Sequence, residues 1–356
     1  MTAHLPEGIT TPALVVDVDV LDRNVRRMAV AARTNGFALR PHAKTHKTLE
    51  IAARQLEAGA RGLTVATVGE AEIFAKSGVE DLFVAYPLWL DAGKAERLRR
   101  LAERVTVAVG VDSAAGARRL ARLPVSVLVE VDSGHHRTGV APADAAPVAV
   151  AAAEAGLPVA GVFTFPGHSY APGDREAAAR DEERALGEAA AAIRAAGLPV
   201  AVVSGGSTPT VDAWRPGVVD ELRPGVYVFN DAQQLALGSC GPDDVALVAA
   251  ATVVSRPAPD RVVLDAGSKT LGADRPEWMP GSGFLPEFPD ARVVSLSEHH
   301  AVIRLAPGER PPALGTTVAV VPNHVCNAVN LADELLAARA GALVDRWPVA
   351  ARGANA

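Results

Sequence analysis

The side chains able to do chemistry in this 356-residue chain gather in a few short segments. Arg40-Pro41-His42-Ala43-Lys44-Thr45-His46-Lys47 puts two lysines and two histidines into eight residues. A lysine amine crowded by cations and partly withdrawn from water gives up its proton more readily, and the neutral amine attacks a carbonyl. Ser204-Gly205-Gly206-Ser207-Thr208-Pro209-Thr210 combines glycines, which let an anion approach the backbone, with hydroxyl donors, a pattern suited to phosphate. Asp132–Gly139 offers Arg137, a donor for an anionic oxygen on a ring, and Phe165-Pro166-Gly167-His168-Ser169-Tyr170 offers an imidazole and a phenol. Pro322-Asn323-His324-Val325-Cys326-Asn327 places an imidazole and a thiol two residues apart. In an extended segment such residues point the same way and can share one metal ion. Thiolate with imidazole favours zinc, and two ligands suit an open catalytic site. His299 and His300 are candidate helpers. Taken singly, the first three segments also read as solvated loops or turns, His168 as a structural histidine, and His324/Cys326 as a buried Cys beside a capping His.

Their order along the chain favours the chemical reading. From Val15 to about Asn230, apolar strands alternate with Ala-rich helical stretches. The strands are expected at Phe37–Arg40, Leu63–Ala66, Leu82–Ala85, Val105–Val109, Ser126–Val131, Val159–Phe165, Val200–Ser204 and Gly225–Phe229. Helical periods include Thr48–Ala58, Val68–Ser77, Asp91–Glu103 and Asp174–Ala196. Continuous Val/Ile/Leu runs mark strands buried on both faces. Eight β-then-α units in this length predict an α/β fold, a (β/α)8 TIM-type barrel, whose catalytic groups collect at the C-terminal ends of the strands. Arg40–Lys47, Arg137, His168 and Ser204–Thr210 all fall there. A doubly wound sheet competes, but it usually carries an early Gly-rich phosphate loop, absent here. After about Asp243 the helical period vanishes. Strand-like runs at Ala246–Ser255, Arg261–Asp265, Ala291–Leu296, Ala301–Leu305, Thr316–Val321 and Ala342–Pro348 predict an all-β domain. Residues 272–290, rich in Gly and Pro, read as a loop over something. The expected division is a barrel over 1–242 and a C-terminal β domain over 243–356, with the first ~15 residues joining the latter.

Composition narrows the function classes. Hydrophobic residues are 49% and charged residues 21%, enough to bury a core and too apolar for wholesale disorder. The formal net charge is −6 and the basic residues are scattered, so neither nucleic acid nor an anionic membrane is the expected partner. Two cysteines, Cys240 and Cys326, exclude a disulfide scaffold. The N-terminal residues MTAHLPEGIT lack the pattern of a signal peptide, and no apolar run approaches the roughly 20 residues of a membrane span, so a cytoplasmic protein is expected.

Together, Pro41-His42-Ala43-Lys44, Ser204–Thr210, Glu221-Leu222-Arg223-Pro224-Gly225 and His324-x-Cys326 resemble the fold-type III pyridoxal-phosphate enzymes. These have an alanine-racemase-like N-terminal barrel, and the nearest likeness is to the branch of D-serine dehydratase and the low-specificity D-threonine aldolases. The likeness runs from Thr11-Pro12-Ala13-Leu14 to about Asp345. It implies that Lys44 holds pyridoxal 5'-phosphate covalently and that Gly205, Gly206, Ser207 and Thr208 hold its phosphate. It places Arg137 near the phenolic oxygen of the ring, Tyr170 near the ring nitrogen and Tyr227 among the cofactor contacts. It makes His168 an active-site histidine and gives His324 and Cys326 a divalent metal, zinc first and manganese second. It further implies a homodimer with shared active sites, the β domain of one subunit covering the barrel of the other. His299 stands where many relatives carry a second acidic residue. The aldolases carry an acidic residue at the place of Cys326, which tilts the likeness toward the dehydratase.

The expected function is that of a lyase, dependent on pyridoxal phosphate and metal, acting on small D-β-hydroxy amino acids. The leading reaction is β-elimination to an α-keto acid and ammonia. The alternative is retro-aldol cleavage to glycine and an aldehyde. Racemisation has no use for the metal pair, and the non-catalytic pyridoxal-phosphate-binding barrels lack a β domain.

Overall fold

The computed structural model describes residues 5–173 and 175–356 and divides them into two compact units. One holds Arg27–Lys44, Ile51–Gly225 and Ala354–Ala356; the other holds the chain through Arg26, Thr45–Glu50 and Val226–Gly353.

In chain order the elements through the first unit are β1 (Ala13–Asp17), α1 (Val18–Thr34), β2 (Ala38–Leu39), α2 (Leu49–Glu57), β3 (Leu63–Val65), α3 (Val68–Lys76), β4 (Asp81–Val84) and α4 (Ala92–Ala102). Then come β5 (Thr106–Val111), α5 (Ala114–Arg119), β6 (Ser126–Glu130), α6 (Ala145–Glu154), β7 (Val159–Phe163), α7 (Arg175–Ala195), β8 (Val202–Gly205) and β9 (Glu221–Leu222). Asp174, the expected first residue of α7, lies outside the described residues, as do the first four residues.

β2 to β9 form one parallel sheet of eight strands in the order β2-β9-β8-β7-β6-β5-β4-β3. The ends meet: Arg61 N–H donates to Leu39 O, Thr64 N–H to Pro41 O and Ala43 N–H to Thr64 O, each at 2.8 Å, so the sheet closes into a barrel. Its interior is packed with side chains. Phe83 and Phe163 meet edge to face, 4.9 Å between centroids, beside Leu128. A β-carbon at Gly110 would lie 2.7 Å from Phe163 Cζ, so that position has no room for a side chain.

The eighth strand departs from expectation. The run Gly225–Phe229 forms a buried 3-10 turn over Val226–Val228, and pairing falls earlier, on Glu221 and Leu222. Glu221 is drawn into the sheet by charge. Arg40 Nε donates to its Oε2 at 2.8 Å while the other guanidinium nitrogens grip Asp81 on β4. Ser204 Oγ donates to Glu221 Oε1 at 2.7 Å, and Arg223 reaches Ser204 Oγ and Thr164 O.

The second unit holds β1 and then α8 (Ala232–Ala236), β10 (Leu247–Ala258), β11 (Arg261–Leu264), α9 (Ser268–Leu271), β12 (Arg292–Leu296), β13 (Ala301–Arg304), β14 (Thr317–Val320), α10 (Val325–Leu331), β15 (Glu334–Arg339) and β16 (Ala342–Pro348). The sheet order is β12-β13-β11-β10-β1-β15-β16, with β14 also on β10. β1 runs antiparallel to β10 and parallel to β15, which is why the chain start belongs here. The core is built mostly of small and β-branched residues, Val15, Val248, Ala250, Ala319 and Val321, with Leu336. The unit is not purely β. The sequence reading omits β15 and α10, and α10 carries Cys326. No helix among the described residues is long and apolar enough to cross a membrane.

Candidate active site

In the barrel unit the site forms around Phe165, just beyond the C-terminal end of β7. Lys44 Nζ lies 5.4 Å from the Phe165 ring centroid and the Arg137 guanidinium carbon 5.3 Å from it. Tyr170 tilts against the same ring with centroids 5.8 Å apart, and His135 meets its edge at 5.7 Å. Three loops, after β2, β6 and β7, are thereby brought to one aromatic ring. Each is fixed locally. His42 N–H donates to Pro224 O at 3.0 Å, and Lys44 N–H turns back on His42 Nδ1 at 3.4 Å. In the loop carrying Arg137, Asp132 accepts from Gly134 N–H and His136 N–H, and Thr138 Oγ1 donates to Glu130 Oε1 at 2.9 Å. Burial raises the Glu130 carboxyl above its ordinary range. Burial, then the charge on Arg137, lowers the His135 imidazole.

His168 sits in a 3-10 turn, Gly167–Tyr170. Neither of its ring nitrogens has a hydrogen-bond partner among the described residues; Asp181 Oδ2 is 3.8 Å from Nε2. Its ring occupies the space a β-carbon would take at Gly134, 3.2 Å away. The loop after β8 closes the group. Ser207 Oγ is 3.0 Å from Ser169 Oγ and 3.0 Å from Thr210 Oγ1, a buried cluster of hydroxyls beside Thr208. Two peptide groups expected to face an anion turn inward instead. Gly206 N–H donates to Glu182 Oε1 at 2.6 Å and Ser207 N–H to Thr210 Oγ1 at 3.0 Å.

The remaining candidates belong to the sheet unit. Tyr227 is buried in the turn Val226–Val228. His324 and Cys326 do not lie on one extended strand. His324 is the N-cap of α10, and Cys326 is in its first turn. The helix turn, not the β alternation, brings the two side chains into hydrogen-bond contact. Asp274 Oδ2 accepts from His324 Nδ1 at 2.6 Å, and Asp274 Oδ1 takes Asn327 Nδ2 at 2.9 Å. This fixes the orientation of the ring. The negative charge of Cys326, then the bonded Asp274 and buried Asp231, push His324 up to about 11 against burial. Solvent reaches 36% of its side chain and screens part of this pull. The Cys326 thiol lies 3.2 Å from Thr45 Oγ1. Asp231, fully buried, caps α8 through Gln234 N–H and takes Val325 N–H at 3.1 Å, so one carboxylate anchors the starts of both helices. Burial raises it to about 6. Asn323 Nδ2 donates to Asp274 O and Gly281 O, which binds the loop over 272–290 to the pair.

Not every candidate faces this chemistry. His46 is fully buried and takes Thr48 N–H on Nδ1; Lys47 donates to Asn330 Oδ1 at 2.8 Å and to Ala351 O. Both are structural. His299 and His300 lie exposed in the turn between β12 and β13. Asp274 and Glu182 have no counterpart in the sequence reading. Asp274 stands 50 residues from His324 and gives no local signal. Glu182 does give one: it is a carboxylate at a core position of a helical stripe.

The chemistry of both donor sets fits the groups that the sequence implies. An amine and a guanidinium on one ring, an imidazole whose nitrogens make no hydrogen bond among the described residues and a buried hydroxyl cluster suit an anionic carbonyl cofactor. A thiol beside a carboxylate-braced imidazole suits a divalent metal of zinc type.

Residues 16–233 match the model of the "Alanine racemase, N-terminal domain" family, and residues 246–338 match that of the "Putative serine dehydratase domain". A D-threonine aldolase of Arthrobacter sp. is 36% identical over 97% of this chain and 93% of its own length. A D-threo-3-hydroxyaspartate dehydratase of Delftia sp. strain HT23 is 36% identical over 89% of this chain and 91% of its own. Among solved structures, that dehydratase superposes with a TM-score of 0.88 at 32% identity, covering 96% of this chain and 97% of that one. The same dehydratase has been solved with a histidine changed to alanine and, in a metal-free form, with a cysteine two positions further on changed to alanine.

Proposed function

The chain belongs to the family of the alanine racemase N-terminal domain joined to a serine-dehydratase-type domain, and on that footing we propose that it is a lyase of D-β-hydroxy amino acids using pyridoxal 5'-phosphate and a divalent metal. The reaction we assign is β-elimination, which converts substrate to an α-keto acid and ammonia. The observation that carries it is the His324–Cys326 pair with Asp274 on Nδ1. The dehydratase relative has been solved with a histidine and, in a metal-free form, with a cysteine of the same spacing changed to alanine.

Lys44 is the residue to hold the cofactor, with Arg137 and Tyr170 beside it over Phe165 and the hydroxyls of Ser207 and Thr208 for its phosphate. Bound there, pyridoxal phosphate supplies an electron sink for the substrate Cα. Lys44 Nζ is the base for the α-proton. Arg137 stands against the same ring as Lys44. His168, whose ring nitrogens make no hydrogen bond among the described residues, is the residue to take or return a proton at the substrate oxygen. His324 and Cys326 would hold the metal, zinc or else manganese, which would supply Lewis-acid chemistry for departure of the β-hydroxyl. The working assembly is a homodimer located in the cytoplasm, on the strength of the sequence reading; light scattering measures the mass.

Incubation with D-serine, D-threonine and D-threo-3-hydroxyaspartate, with zinc or manganese added, tests the reading. Keto acid and ammonia are expected. Glycine with an aldehyde as the main products would replace elimination by retro-aldol cleavage, and no product from any D-substrate would overturn the assignment.

A further inference from the structure

α7 buries a stripe of small and apolar residues, among them Ala178, Ala185, Leu186, Ala189 and Ile193. Within it stands Glu182, with 0% of its surface open to water. A lone buried carboxylate is costly, so an acid kept at such a position needs a reason. Glu182 Oε1 accepts Gly206 N–H at 2.6 Å, while Oε2 has no partner among the described residues. Gly206 has φ +83°, a left-handed turn that glycine adopts freely. A β-carbon at Gly205 would lie 2.8 Å from Glu182 Oε1 and 3.2 Å from Leu186 Cδ1, one helical turn on. On the other side Arg223 N–H donates to Gly205 O at 2.9 Å. The two glycines are thus clamped between α7 and the segment after β9.

We propose that Glu182 is a positioning residue for the anion-binding loop: holding Gly206 N–H from the α7 side, it fixes the turn that presents the hydroxyls of Ser207 and Thr208 to the cofactor phosphate. This rests on the assignment of that loop to pyridoxal phosphate made above. The state of the acid matters. Burial pushes the Glu182 carboxyl up to about 8, against the Gly206 hydrogen bond and the charge of Arg223. At neutral pH it accepts a hydrogen bond without adding a negative charge under an incoming anion. Arg223 is the charged group acting on it, and that guanidinium is already engaged with Ser204 Oγ and Thr164 O. The acids beside it on α7 face elsewhere, Asp181 toward His168 and Glu183 toward Gly217. Ionised Glu182 opposes phosphate by like-charge repulsion, so affinity for the phosphorylated vitamer falls as the pH rises through about 8.

The test compares wild type, Glu182→Gln and Glu182→Leu, resolved of cofactor and titrated with pyridoxal 5'-phosphate and with pyridoxal. At pH 7 the Gln variant should bind pyridoxal phosphate within about threefold of wild type, and the Leu variant about tenfold more weakly. Pyridoxal, without a phosphate, should bind all three alike. From pH 7 to 9 the wild-type Kd for pyridoxal phosphate should rise about fivefold more than that of the Gln variant. Superimposable pH curves, or equal loss of both vitamers in the Leu variant, would overturn the proposal. If the Leu variant does not fold, the pH comparison decides alone. Wild type binding neither vitamer would instead bring down the cofactor assignment.

Discussion

The stability of the barrel should depend on pH through Glu182, whether or not cofactor is present. In the folded chain this carboxyl holds its proton to about pH 8, whereas its ordinary value is 4.5. Between those limits the unfolded chain loses the proton and the folded chain keeps it. The folded state therefore binds more protons, and stability falls as pH rises. Each pH unit across this range is worth about 1.36 kcal/mol, so from pH 5 to 7.5 the wild type should lose up to about 3 kcal/mol through this one group. Glu182→Gln keeps the shape and an acceptor for Gly206 N–H but cannot titrate. Its constant difference from wild type, of either sign, cancels when only the pH dependence is compared. Urea denaturation followed by circular dichroism at pH 5, 6, 7 and 7.5 measures it. The variant should gain on wild type progressively with pH, by at least about 1 kcal/mol across the range once relaxation of the buried site is allowed for. Parallel curves would show that the acid titrates normally in the folded chain and would refute the reasoning.

Asp274→Ala should weaken zinc binding about 10- to 100-fold, because a metal-bound imidazole loses the carboxylate that orients it; competition with a chromophoric chelator reads this, and unchanged affinity would remove Asp274 from the site. Arg40→Met leaves Glu221 charged, buried and without its Nε donor, and should cost about 3–5 kcal/mol in urea denaturation. Gly206→Ala places a β-carbon in a left-handed turn and 2.8 Å from Leu222 Cδ2; it should cost about 1–2 kcal/mol and weaken binding of pyridoxal phosphate. Exhaustive chelation should stop turnover on a D-β-hydroxy amino acid while leaving bound cofactor absorbance in place, and full activity after chelation would exclude the metal's role.

Much of the barrel is legible because its strands are continuous apolar runs that only a doubly covered parallel sheet accommodates. The eighth strand is the exception. Val226–Phe229 has strand composition, but the ionic link from Arg40 to Glu221 fixes the pairing four residues earlier, and a link across the chain leaves no local trace. Lys44, Arg137 and Tyr170 are readable one by one; their meeting on Phe165 is not, because the hub is an ordinary aromatic residue. The His324-x-Cys326 spacing suggests two side chains that meet, and they do, but through a helix turn and not along an extended strand. The backbone turns into α10 at His324, on a cap whose anchor, Asp231, lies far back in the chain. Glu182 is the residue a closer reading recovers, since an acid on the apolar face of a helix demands a partner.

The amine of Lys44 is the group on which the proposed cofactor chemistry depends. Purified protein incubated with pyridoxal 5'-phosphate, reduced with borohydride and digested should give one peptide bearing the pyridoxyl mass on Lys44, and Lys44→Ala should give none. A wild-type protein that stays colourless and unmodified under these conditions, or a variant that takes up the same mass at full occupancy, would contradict it.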